Sequence, residues 1–463
     1  MCITMKKLAI FLSSALVLTA CGGGSNNQTV SPIGSPNDQI DCNDQTQVNQ
    51  SWYDFLTNNY LWPDELKSDI NPADYSSTAA FLNAFRSDND EYSFVLPTEQ
   101  WQARTQGNVF GYGMSLDYSE ANDYIRVIFV FKDSGAELGG LARGSRITEI
   151  GDNSASDIIS WAKSGDARFN QVFGPDTEGH QINIKWLSPN DTEHTASITK
   201  GSINANTVMA TTSIDTNIGK VGYLSFQHGF NQPSAKELDV AFTTLRQANV
   251  SELILDLRYN GGGRVDISGR LAAYIAGQQT KDQVYLNYIY NNTVQQSIIG
   301  EYGQDALVRR FDDASLFDPE LGASNFATIY NNALNLNRVV ILTSAATCSA
   351  SELVINGLAP YIDVVTIGST TCGKPAGMVP TPMCDETMVA LNFQTTNADN
   401  FGDYFQGIAP NCTVSDETVK DDWASLNDTA YATAISYLEQ GSCPVTAASQ
   451  GYRPLQSTQG LAY

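Results

Sequence analysis

Three short apolar runs, residues 253–257, 338–342 and 364–367, set the tightest limit on what this chain can fold into. Each is four or five residues long, apolar with little alternation, the pattern of a strand covered on both faces. The first two lead through a loop into a helical stretch. Such alternation, running from about 221 to 438, implies an α/β layer architecture with parallel strands. Loops at the carboxyl ends of those strands gather at one edge of the sheet, where ligands bind.

The first loop reads Asp256-Leu257-Arg258-Tyr259-Asn260-Gly261-Gly262-Gly263. Its glycines leave backbone amides free to approach a substrate, and fixed amides are what a developing oxyanion needs. A glycine-rich turn accounts for the same residues without chemistry, and the Gly-Lys-Ser/Thr ending of a phosphate loop is missing. The second loop runs from Thr343 to Glu352. Ser349 and Glu352 have the spacing of a capping box, and a serine there also sits where helix amides favour negative charge. Cap and nucleophile share one geometry. The third is Thr371-Cys372-Gly373-Lys374-Pro375. A lysine on a turn is ordinarily solvated; it can activate a serine only where desolvation lowers its pKa from about 10.4.

Upstream the rhythm differs. Residues 42–106 read as a helical segment, with Trp52, Phe55, Leu56, Tyr60 and Leu61 at three- and four-residue intervals. Residues 107–203 turn to short strands around a glycine-punctuated helix at 134–145. The stretch from Ser134 to Asp152 resembles the A-x-x-A-G-L-x-x-G-D-x-I-x-x-I-N-G run of PDZ domains, with Arg143-Gly144-Ser145 in place of the commoner Gly-Asp. Gly111, Tyr112, Gly113 and Met114 resemble the PDZ loop and strand whose exposed amides hold a peptide's terminal carboxylate while a strand edge pairs with the peptide.

Asp-Leu-Arg-x-Asn-x-Gly-Gly, Ser-Ala-Ser-Glu after a strand, and then Gly-Lys together resemble the carboxyl-terminal processing (tail-specific) serine proteases over about residues 42–420. The order of helical segment, PDZ domain and core resembles that family too. The resemblance implies a crotonase/ClpP-like core at 204–443 and no cofactor. It implies Ser349 as nucleophile, Lys374, 25 residues later, as general base, and the Gly262 and Ala350 amides as oxyanion hole. Loosely folded polypeptides with exposed carboxyl ends are the implied substrates. Two departures stand out. Many members carry a glutamine four residues after the lysine, and this chain has Met378. Cys348 stands where alanine is common; it is a rival thiol, a disulfide partner or packing, and paired or inert is favoured because no histidine follows to activate it.

The ends and the charge fix the setting. Residues 1–20, with Lys6 and Lys7 before an apolar stretch, read as a secretory signal. Leu18-Thr19-Ala20-Cys21 resembles the bacterial lipobox, so Cys21 is the expected lipidation site, with residues 21–41 as tether. A lipid-anchored protein of a Gram-negative cell envelope, facing the periplasm from the outer membrane, is expected. Residues 444–463 read as a loose tail. Its last residues, Leu461-Ala462-Tyr463, are a candidate substrate of the enzyme itself or occupant of the PDZ-like site. With 50 acidic against 26 basic residues, the chain repels nucleic acid. Six cysteines besides Cys2 and the lipidation site Cys21 suggest disulfides, expected as Cys372–Cys384 and Cys412–Cys443. No CxxC pair and only His180, His194 and His228 weigh against zinc. Two rivals remain: His228 as base, as in tricorn-like relatives, and a binding protein on the same fold with catalysis lost, for which Met378 is the best argument.

Overall fold

The computed structural model describes residue 36 and residues 39–118, 123–313, 318–415, 421–444 and 453–454. Cys21, all of its tether but residues 36 and 39–41, and residues 461–463 lie outside these. Among the described residues no helix is long and apolar enough to cross a membrane.

Helix α1 (Gln45–Asn59) starts where Asp44 accepts from the Thr46 and Gln47 amides, and α2 (Thr78–Phe85) where Ser77 accepts from Ala80. Trp52, Phe55 and Leu56 of α1 meet Phe81, Leu82 and Phe85 of α2 in one apolar cluster, but Ala376, Met383, Met388, Ala390 and Leu391 complete it. Carbonyls ending a helix have no partner within it, and here Asn291 and Asn392 reach across to those of Asn58, Asn59 and Tyr60. The helical segment is therefore part of the wall beside the Lys374 loop.

A mainly antiparallel sheet follows: β1 (Met114–Tyr118), β2 (Ile125–Val130), β3 (Arg146–Ile150), β4 (Gln181–Leu187) and β5 (Glu193–Thr199), each paired with the next. Leu116, Ile125, Val127, Ile147, Ile184 and Trp186 pack on one face, with Ile158 and Ile159 of α3 (Ala155–Ser164). Ile128 and Phe129 leave that face and pack with Phe131 and Ile203 against Tyr259 and Trp423. Coverage on both sides explains why β2 is almost continuously apolar.

The α/β segment holds a six-stranded sheet in the order β6 (Val208–Thr216), β7 (Gly219–Phe226), β8 (Glu252–Asp256), β9 (Arg338–Thr343), β10 (Asp363–Gly368), β11 (Cys412–Thr413). The β6–β7 pair is antiparallel and the rest are parallel. Alternate residues feed opposite faces. Leu253, Leu255, Val339 and Ile341 pack under α4 (Ser234–Gln247), α5 (Val265–Ala276) and α6 (Ala350–Leu358); Ile254, Val340, Leu342, Val365 and Ile367 pack under α7 (Thr429–Gln440). Burial on both faces is what made these runs legible.

Two features depart from the sequence reading. Strand β12 (Arg453–Pro454) pairs antiparallel with β1, Arg453 opposite Tyr118 and Pro454 opposite Asp117. The tail is thus tied at these two residues, because β1 is the outer strand and its backbone edge needs a partner. The disulfides are Cys42–Cys384, Cys348–Cys372 and Cys412–Cys443. The expected Cys412–Cys443 pair forms and Cys372–Cys384 does not. Cys384 sits on the turn that the helical segment covers, where Cys42 meets it, while Cys372 faces the nucleophile loop.

A buried charge cluster joins the segments. Arg258 binds Asp256 at 2.6 Å and Asp428 at 2.7 Å, and Arg143 reaches Asp428 at 3.3 Å with its guanidinium 3.8 Å above the Trp423 ring. Arg143 is the departure from the PDZ pattern, and here it is the arm linking the β-rich segment to the α/β segment.

Candidate active site

Ser349 lies in the turn between β9 and α6. Its backbone sits at φ 56° and ψ −114°, whereas an ordinary N-cap residue is extended. A non-glycine residue in that region costs roughly 1–3 kcal/mol and persists only where its surroundings hold it. The surroundings do so. Thr347 Oγ1 donates to Leu257 O at 2.9 Å, Cys348 N to Asn260 O at 3.1 Å, and Ser351 Oγ to Asn260 O at 2.9 Å. The nucleophile loop is fastened to the glycine loop residue by residue.

Gly262 is the closest element of that glycine loop. It has φ +94°, and a β-carbon there would lie 2.7 Å from Cys348 O and from Ser349 Cβ and 2.8 Å from the Ala350 amide nitrogen. No other residue fits. Ala350 carries the first amide of α6, one of the donors a helix leaves without an internal partner. The Gly262 amide is different: it donates to Asn260 Oδ1 at 3.0 Å, and Asn260 is fully buried. The amide expected as an oxyanion donor is thus engaged by Asn260 in this state. The contribution of Gly262 is then shape.

Glu352 does more than cap. Fully buried one turn into α6, it accepts from the Ser349 amide at 2.9 Å, the Gly373 amide at 2.8 Å, the Lys374 amide at 2.9 Å and Thr371 Oγ1 at 2.5 Å. One carboxylate thus holds the backbone of both loops. The capping-box spacing located Glu352; no sequence signal tied it to residues 371–374, which are about twenty positions away.

Burial, opposed by Asp90 and Glu352 and aided by Arg104, lowers the Lys374 amine to about 8. Its Nζ lies 3.6 Å from Met378 Sδ and 5.1 Å from the centre of the Tyr92 ring, and Tyr92 OH donates to Gly373 O at 3.2 Å. A thioether is a weak acceptor, so the amine is surrounded by soft, weakly polar groups. Tyr92 was not among the expected site residues; it arrives from the helical segment by tertiary packing alone.

Other expected residues fare differently. Cys348 is paired with Cys372, so it is no rival nucleophile. His228 lies on a short strand beside Asn260, where burial, aided by Arg104, pulls its imidazole down to about 3. That is too feeble a base for a hydroxyl at neutral pH. Gly111, Tyr112, Gly113 and Met114 come together as one turn, but all four are buried. Tyr112 OH donates to Phe173 O at 3.0 Å and Gly113 O accepts from Phe131 N at 2.8 Å. The expected exposed carboxylate loop is closed, because Gly111 pairs with Gly201 and Gly113 packs on Ser134.

Cys348, Cys372 and Glu352 are the one group of potential metal ligands found close together among the described residues. Both sulfurs are consumed by the disulfide and the carboxylate is filled by its four donors, so this is not a ligand set. A serine at a helix start, a shielded lysine on the loop tied to it through Glu352 and a helix-end amide are the groups that acyl transfer needs.

Comparison with known proteins gives this geometry a context. The model of peptidase family S41 matches residues 218–414, and that of the peptidase S41 N-terminal domain matches residues 47–94. Carboxyl-terminal-processing peptidase 3 of Arabidopsis thaliana chloroplasts is 22% identical over 315 residues, covering 65% of this chain and 52% of that protein. The carboxyl-terminal-processing protease of a Picosynechococcus species is 25% identical over 291 residues, covering 62% and 60%. The chain thus spans a little over half the length of these relatives. A solved Bacteroides fragilis structure, a candidate S41 protease, is 22% identical with a TM-score of 0.63, over 88% of this chain and 99% of that one. The likeness is one of fold.

Proposed function

With peptidase family S41 matched across residues 218–414 as the premise, we propose that this protein is a serine endopeptidase working through a Ser349–Lys374 dyad. The observation that carries the reading is the shielded Lys374 amine on a loop whose backbone shares one carboxylate, Glu352, with the nucleophile. Neutral Lys374 takes the Ser349 hydroxyl proton as Oγ attacks the scissile carbonyl carbon. The Ala350 amide donates to the oxyanion, and Gly262 leaves room for the carbonyl. Lys374 then returns the proton to the leaving amine, the C–N bond breaks, and water, activated by the same amine, releases the acyl-enzyme.

The substrates in this reading are loosely folded polypeptides presented by their carboxyl ends, with the β-rich segment acting as a PDZ-like reader through the edge of β1 and the turn at 111–114. That role requires the turn to open and β12 to leave. The sequence features of residues 1–41 favour lipid anchoring at Cys21 in a cell envelope, and the acidic chain disfavours nucleic-acid partners. The second reading, a peptide-binding protein with catalysis lost, draws on Met378 in place of an orienting amide.

An unstructured test protein incubated with residues 22–463, wild type against Ser349→Ala, separates the two. Fragments trimmed by wild type alone, with fluorophosphonate labelling lost in Ser349→Ala, are expected. Well-folded wild type that neither cleaves nor labels would leave the binding protein.

A further inference from the structure

We infer that the Cys348–Cys372 disulfide is a positioning element for the catalytic pair, standing in for the side chain that would otherwise aim Lys374. The inference rests on the dyad reading and goes beyond it. The bond joins the residue immediately before Ser349 to the residue two before Lys374, with α-carbons 5.2 Å apart. The same two residues carry the backbone seam: Cys372 N donates to Thr347 O at 3.0 Å, and Cys348 N donates to Asn260 O at 3.1 Å. One covalent link therefore joins the nucleophile loop to the lysine loop, and the hydrogen bond from Cys348 to Asn260 adds the glycine loop to the same body.

The lysine needs such a body. Among the described residues its amine meets the Met378 thioether and the Tyr92 ring at the distances given above, and neither supplies a directional acceptor. Its direction has to come from the backbone. Glu352 holds the Gly373 and Lys374 amides, and the disulfide fixes how far that loop can move from Ser349. The two departures of this sequence, Met378 and Cys348, thus become parts of one arrangement: a lost side-chain partner and a gained covalent tether.

Cys412–Cys443 provides a matched control. It closes 31 residues against 24 for Cys348–Cys372, and loop-closure stabilisation varies only slowly with length. The Cys348→Ala/Cys372→Ala and Cys412→Ala/Cys443→Ala enzymes should lose similar melting temperature. The first is expected to lose at least about 30-fold in kcat with KM within about two-fold; the second is expected to keep both. The rising limb of the first variant's pH–rate profile should also move from near 8 towards an ordinary lysine value, as water reaches the amine. Asp90, Arg104 and Glu352 are the charges acting on that amine, and neither pair alters them. Equal kcat and equal pH limbs in the two variants would overturn the inference. Hydrogen exchange at the Gly373 and Lys374 amides reads the tether without catalysis. Faster exchange in the first variant alone supports it even if wild type proves inactive, and equal exchange in both overturns it.

Discussion

The glycine loop at 260–263 and the one at 111–113 both follow strands and both invite the same reading, a backbone left bare to receive a charged group. The structure separates them. Gly261 and Gly263 are exposed and Gly262 abuts Ser349 and Ala350, whereas the whole turn at 111–114 is buried, with a β-carbon at Gly113 falling 2.2 Å from Ser134 Cβ. In the first loop glycine lets the Ser349 turn pack close while Gly261 and Gly263 stay open to solvent. In the second it makes room for the protein itself. The corner proposed as catalytic is assembled, and the one proposed to read peptides is shut, with β12 on its strand edge. Glycine spacing alone does not distinguish open from close-packed backbone.

Changes at the assembled corner should have the largest effects. Lys374→Met is expected to cut kcat/KM at least about 10³-fold, since it removes the base, while the protein gains stability. The sign follows from linkage: the folded lysine has its pKa near 8 and the unfolded one near 10.5, so at pH 6 wild type carries a penalty of up to about 3 kcal/mol that fades as pH rises from 8 to 10.5. Denaturant melts of both proteins at pH 6 and 10 measure it; a variant no more stable at pH 6 would place Lys374 in water. In wild type the same pKa predicts kcat/KM rising about tenfold per pH unit below 8 and levelling above.

Glu352→Ala should come next. It strands three amides and a hydroxyl in a buried site, at about 3–5 kcal/mol for the loss of a buried charged partner, and should lower kcat at least about 10²-fold in whatever fraction stays folded. Circular dichroism melts with active-site titration by a fluorophosphonate distinguish unfolding from misalignment. Near-wild-type labelling would mean that the carboxylate is only a helix cap.

The smallest effect is expected at the shut corner. Truncation after residue 444 removes β12 and should leave the melting temperature nearly unchanged while strengthening binding of carboxyl-terminal peptides by about three- to tenfold, as an occupied edge becomes free. Calorimetric titration of truncated and full chains reads this directly. Unchanged affinity would mean that β1 is not the edge peptides use.

The comparison shows how much of the molecule was legible in advance. The parallel core announced itself because strands buried on both faces lose their alternation, and the catalytic loops announced themselves because they follow those strands. Local motifs located Ser349, Lys374 and the capping glutamate, while the family resemblance supplied the roles proposed for the first two and for Ala350. Chain-distant partnerships were not. Glu352 meeting residues 371–374, Tyr92 meeting Lys374 and Arg143 meeting Asp428 have no local signature, since each joins segments at least about twenty residues apart in sequence. Cysteine pairing fell on both sides of that line: the Cys412–Cys443 pair was anticipated, while Cys42–Cys384 needed the helical segment to be docked first. By itself the sequence determined which strands are buried and which loops follow them, because periodicity and turn chemistry act over a few residues. Tertiary structure alone decided which amides are free, which sulfurs pair and how far the lysine is shielded, because those depend on what packing brings within a few ångströms.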